Sequence, residues 1–231
     1  MALDGITIAA VAAELDSALA GGRISKIAQP ENDELLLTVK SPQGQKKLYM
    51  SASASLPLIY LTDESKQSPM TAPGFCMLLR KHIGNGRITG ISQPGLERII
   101  CLDIEHLDEL GDLCRKKLII EIMGKHSNII FCDDKDTIID SIKHVPAQMS
   151  SVREVLPGRK YFIPDTMSKK NPLSIGEPDF ACALAQKPMP VGKALYTSFT
   201  GISPAVAEEI CHLAGVESAV TAKDISPDVL V

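Results

Sequence analysis

The stretch Ile119–Phe131, IIEIMGKHSNIIF, constrains this chain more than any other. Two apolar runs, Leu118–Met123 and Ile129–Phe131, flank a short polar block, Gly124-Lys125-His126-Ser127-Asn128. Isoleucine-rich runs of this length suit pleated, half-buried strands. A glycine leaving the first run takes the positive φ that such turns often need. The stretch therefore reads as a core β-hairpin whose rigid arms present Lys125 and His126 at the tip. An ordinary solvated tip has the same composition, so the block alone does not separate binding from solvation.

Composition sets the bounds around it. With 231 residues and 45% hydrophobic content, the chain can bury one or two cores. No apolar run approaches the roughly 18 residues of a membrane span. The opening MALDGITIAAVAAELDSALAGG carries Asp4, Glu14 and Asp16 and no basic lead, so it reads as an amphipathic helix and not as a secretion signal. The six cysteines contain no CxxC pair, and neither a metal site nor a disulfide framework is expected. Buried reduced thiols in a cytoplasmic protein without cofactor are the reading.

A net charge of −4 argues against nucleic acid, but its distribution does not. Asp103–Asp112 holds five carboxylates and no lysine or arginine. Arg115 to Lys170 carries eleven Lys/Arg against seven Asp/Glu. This asymmetry allows a basic face on an acidic protein, although ordinary solvated faces account for it equally.

Taken in order, Asp4 caps a first helix with Ile8, Val11, Ala12, Leu15 and Leu19 at helical spacing, and Gly21-Gly22 ends it. Strands are expected over Arg23–Gln29, Leu35–Lys40, Lys46–Ser51 and Leu56–Leu61. A helix follows at Gly74–Ile83, with Arg80 and Lys81 off its packed stripe. Five more strands are expected: Arg87–Gln93, Arg98–Ile104, Lys117–Met123, Asn128–Asp133 and Thr137–Ile142. About nine short strands with two helices imply an α+β domain with a β-sandwich core over residues 1–170. The proline-rich Tyr161–Pro190 reads as a linker, placing a boundary near 170. Residues 171–231 then form a small all-α domain. Helices at Val191–Phe199 and Ala205–Ala214 meet through Thr200-Gly201-Ile202-Ser203, a helix-hairpin-helix pattern. Amides at such a turn cradle phosphate without basic side chains, which makes Gly201, Ile202 and Ser203, with Arg80 and Lys81, phosphate-binding candidates.

The phrases GGRISKIAQPENDELLL, FCMLLRKHI, LERIICLDI, IIEIMGKHSNIIF, TIIDSIKHV, REVLPGRKYFIP and GISPAVAEEI, in this order, resemble the N-terminal part of the NFACT family. This family includes RqcH and the fibronectin-binding protein A-like proteins. The resemblance covers nearly the whole chain and implies a fold similar to the N-terminal domain of formamidopyrimidine-type DNA glycosylases, followed by a helix-hairpin-helix domain. It also implies that the chain is a fragment, since family members continue into a coiled coil and a further domain.

The implied activity is ribosome-associated quality control: binding of a large ribosomal subunit obstructed by peptidyl-tRNA, and recruitment of alanyl-tRNA for non-templated alanine tailing. The ribosome would perform peptidyl transfer, so a tRNA- and rRNA-binding factor is expected, not an enzyme. The family's Asp-Arg pair for tRNA maps to Glu97-Arg98, with Glu in place of Asp, and the MGKHSN block adds Lys125, His126, Ser127 and Asn128. Two alternatives belong to other classes. A fibronectin-binding adhesin would need export, and no signal peptide is read. A DNA-repair module would need the glycosylases' N-terminal proline and its following glutamate, where this chain begins Met1-Ala2-Leu3-Asp4.

Overall fold

The computed structural model describes residues 3–165, 168–185 and 187–226. Helix α1 spans Gly5–Leu19; Asp4 caps it by accepting from the Thr7 amide at 2.8 Å, and Ile8, Ala12, Leu15 and Leu19 form its buried stripe. Four strands follow, β1 (Arg23–Ala28), β2 (Glu34–Ser41), β3 (Gly44–Ser51) and β4 (Leu58–Thr62). Helix α2 (Gly74–Ile83) leads to β5 (Arg87–Ser92), β6 (Ile99–Leu107), β7 (Leu113–Glu121), β8 (Asn128–Asp133) and β9 (Ile138–Ser141). Three helices close the described chain: α3 (Glu177–Ala185), α4 (Val191–Ser198) and α5 (Pro204–Leu213).

The nine strands form one antiparallel sheet in the order β4-β3-β2-β1-β5-β6-β7-β8-β9. The expected β-sandwich core is thus built from one continuous sheet and not from two separate ones. The halves β1–β4 and β5–β9 are joined at a thin seam, where β1 and β5 register only through Arg23↔Arg87. One core lies between them and the two helices. It takes Leu37, Leu48 and Met50 from the first half, Leu102, Leu118 and Phe131 from the second, and Leu15 and Leu79 from the helices. Strand alternation reads the same in one sheet or two, and the seam pairs residues separated by the whole of α2.

Two further expectations change. The acidic stretch is hairpin, since β6 continues to Leu107 and β7 starts at Leu113. The proposed linker contains α3, with Pro178 in its first turn, Leu184 buried and Phe180 stacked on Phe199 at 4.9 Å between ring centroids. A single turn of contact to α4 was invisible to periodicity. Around α3, α4 and α5 a second core gathers Leu184, Leu195, Phe199, Ala207 and Cys211.

The helical unit meets the sheet at a tight joint. The Gly5 amide donates to the Gly201 carbonyl at 3.0 Å, and a Cβ on Gly201 would stand 2.4 Å from the Leu96 Cβ. Gly201 also takes φ +78, open to glycine and strained for other residues. Ser203 caps α5 by accepting from the Val206 amide, and its hydroxyl donates to the Asp4 carboxylate at 2.7 Å.

Candidate nucleic-acid interface

The β7–β8 hairpin has the expected arms, in register from Lys116↔Asp133 to Glu121↔Asn128. Its tip is a single 3₁₀ turn, Gly124–His126, entered with Gly124 at φ +58. The tip splits into two parts. Lys125 and His126 are exposed, whereas Ser127 and Asn128 are 1% and 2% exposed. The Ser127 hydroxyl accepts from the Met123 amide at 2.8 Å. Asn128 accepts from the amides of Ile129 and Lys143 and donates to the Lys143 carbonyl at 2.8 Å. Those two side chains build the turn; the exposed pair is Lys125 and His126.

Strand β6 brings Glu97 and Arg98 to the same end. The Arg98 carbonyl accepts from the Ile122 amide at 2.8 Å, so Lys125 follows within three residues, at most about 10 Å of chain. Gln93 fixes the entry to β6 by donating to the carbonyls of Glu97, at 2.7 Å, and Gly5, at 2.8 Å. Burial raises the Glu97 carboxyl above its ordinary value; Arg98 and Lys169 pull it back, and Asp165 adds to the rise. Lys169, lowered by burial, donates to the Tyr196 carbonyl at 2.7 Å and so ties this site to α4. Among the described residues, Arg98, Lys125 and His126 commit their side chains to no hydrogen bond or short ion pair.

Several supporting residues carried no legible role in the sequence. The Lys143 ammonium donates to the carbonyls of Ala52 and Ser127, stitching the end of β3 to the hairpin. Glu121, 1% exposed beside Asn128, accepts from the Arg153 guanidinium and from the Tyr161 hydroxyl at 2.9 Å. Arg153 also lies over the Tyr161 ring, 5.2 Å from its centroid. This group fastens the segment after β9 over the outer face of the sheet, where Ile99, Ile119, Ile130 and Val155 form a small core. The one signal for it was a charged residue closing an isoleucine run.

The phosphate-binding candidates lie elsewhere. Arg80 donates to the Ile27 carbonyl at 2.9 Å and edges a cavity of about 390 Å³ with Gln29, Cys76 and Met77. Lys81 pairs with Glu109 at 3.4 Å beyond the far end of β6, roughly 30 Å from Arg98 along the strand. Gly201 and Ser203 are occupied at the interdomain joint, where an anion would meet the Asp4 carboxylate; Ile202 packs against the second core.

Fold and site together define an antiparallel scaffold that presents Arg98, Lys125 and His126 at one strand end, braced by a helical unit. The family model for NFACT N-terminal and middle domains matches residues 4–230, and the chain belongs to this family. It is 39% identical over 222 residues to the Rqc2 homolog RqcH of Bacillus subtilis, covering 96% of this chain and 39% of that protein. The chain thus spans well under half the length of the curated relatives it matches. Among solved structures, the N-terminal domain of the fibronectin-binding protein PavA from Streptococcus pneumoniae matches with a TM-score of 0.82 at 35% identity, covering 91% of this chain and 78% of that one. The N-terminal part of the fibronectin/fibrinogen-binding protein from Streptococcus suis matches with a TM-score of 0.84 at 32% identity, covering 98% and 82%. No helix among the described residues is long and apolar enough to cross a membrane.

Proposed function

We propose that this chain is the tRNA-handling portion of a cytoplasmic ribosome quality-control factor. It binds the large ribosomal subunit with its peptidyl-tRNA and recruits alanyl-tRNA for non-templated alanine tailing. The observation that carries this reading is that Arg98, Lys125 and His126 lie at one strand end, their donors uncommitted among the described residues. A guanidinium fork suits phosphate or a base edge, and an exposed ammonium suits phosphate. Peptidyl transfer is left to the ribosome, and α4 with α5 serves as a helix-hairpin-helix that braces the site.

Arg98→Ala removes a charge-assisted contact worth about 1.5–3 kcal/mol, or roughly tenfold to a hundredfold in tRNA affinity. Alanine tailing on obstructed subunits by the full-length protein should fall accordingly, with subunit binding retained. Glu97→Asp should tail as well as or better than the parent, since it restores the family's pair. Normal tailing by Arg98→Ala would overturn the assignment. Fibronectin binding, in the names of two structural relatives, is the second reading; a direct titration with fibronectin that Arg98→Ala leaves unchanged would favour it.

A further inference from the structure

Beyond the end of β6 opposite Arg98, the β6–β7 hairpin exposes three leucines. Leu107 and Leu113 are cross-strand partners, 67% and 62% exposed, and Leu110 at the apex is 88% exposed. The turn between them is well built. The Asp108 carboxylate accepts from the amides of Leu110 and Asp112, each at 2.9 Å. The Asp108 amide donates to the Asp112 carbonyl, and Gly111 takes φ +87 to close the loop. Asp108, Glu109 and Asp112 collar the leucines, and Asp103–Asp112 contains no lysine or arginine. The Lys81–Glu109 pair, with both partners largely exposed, neutralises little of this charge.

A rigid apolar knob held in water marks a contact surface. Its collar repels phosphate, so this tip does not face RNA. An apolar cleft rimmed by lysine and arginine satisfies both the leucines and the acids. We propose that the β6–β7 tip docks into such a cleft on a protein component of the large ribosomal subunit, with Leu110 as the anchor. This rests on the ribosome reading above, and divides the domain into an RNA-facing strand end and a protein-facing hairpin tip.

The test uses the full-length protein and purified large subunits. Leu110→Ser with Leu113→Ser should weaken subunit binding about tenfold or more while free tRNA binding and the melting temperature hold. Glu109→Lys should weaken it too, most at low salt. A photoreactive phenylalanine analogue at position 107 should crosslink to ribosomal protein. Undiminished binding by both variants, or crosslinks only to rRNA or to the same chain, would overturn the docking tip. Failure of the parent protein itself to bind subunits would remove the ribosome reading along with it.

Discussion

Lys125 and Asn128 lie three residues apart in one turn and do opposite work. Lys125 is exposed and without a partner among the described residues, whereas Asn128 satisfies three backbone groups from a buried position. Lys125→Ala with His126→Ala should therefore weaken tRNA binding at a stability cost within about 0.5 kcal/mol. Asn128→Ala should cost about 1–3 kcal/mol by orphaning buried backbone groups. In a chain this size that is roughly 2–12 °C in melting temperature, and thermal melts beside a tRNA titration separate the two effects. Asp4 has a pH signature. Burial pushes its carboxyl up, but hydrogen bonds from Ser203 and Thr7 outweigh this and hold it below its ordinary 3.8. An acid lowered on folding stabilises above its unfolded value and loses that contribution as pH falls through the folded one. Asp4→Asn keeps a cap but not the charge. Its melting temperature should lie below the parent's at neutral pH, and the gap should close as the pH falls below about 4.

At the scale of elements, the joint between helices and sheet depends on two glycines facing each other. A Cβ on Gly5 would meet the Leu96 carbonyl at 2.1 Å and the Gly201 Cα at 2.5 Å. Gly201→Ala combines such a clash with an unfavourable φ and should cost about 2–4 kcal/mol. The helical unit should loosen first, read as faster proteolysis around residues 168–176 before the sheet unfolds, and tRNA affinity should drop because the Lys169 tie between this site and α4 is weakened. The strands themselves were legible, because apolar alternation and turn residues such as Pro94-Gly95 act locally. Helix α3 was not, since Pro178 and the prolines flanking it signal a linker and its apolar residues Phe180 and Leu184 acquire meaning only against Phe199 and the second core. The phosphate-binding appearance of Gly201 to Ser203 had the same weakness: a glycine turn before a capped helix looks alike whether it faces a ligand or its own domain.

For the whole molecule, an acidic chain that binds RNA must do so through a local cluster. With two or three phosphates engaged by Arg98, Lys125 and His126, tRNA affinity should fall roughly sevenfold to fortyfold between 50 and 200 mM salt. A filter-binding series with the full-length protein measures this, and a flat salt response would remove the electrostatic account. The sequence by itself determined the nine strand segments, the first two helices, the hairpin with Lys125 at its tip and the family, because periodicity, turn chemistry and motif order are properties of neighbouring residues. Only the tertiary structure decided that the strands make one sheet joined at Arg23↔Arg87, that Ser127 and Asn128 are turned inward, and that Arg98 and Lys125 share an end while Arg80 and Lys81 do not. The physical reason is distance along the chain. Asp4 with Ser203 spans 199 residues and Lys143 with Ala52 spans 91, and no local propensity records which distant groups a polar side chain will satisfy.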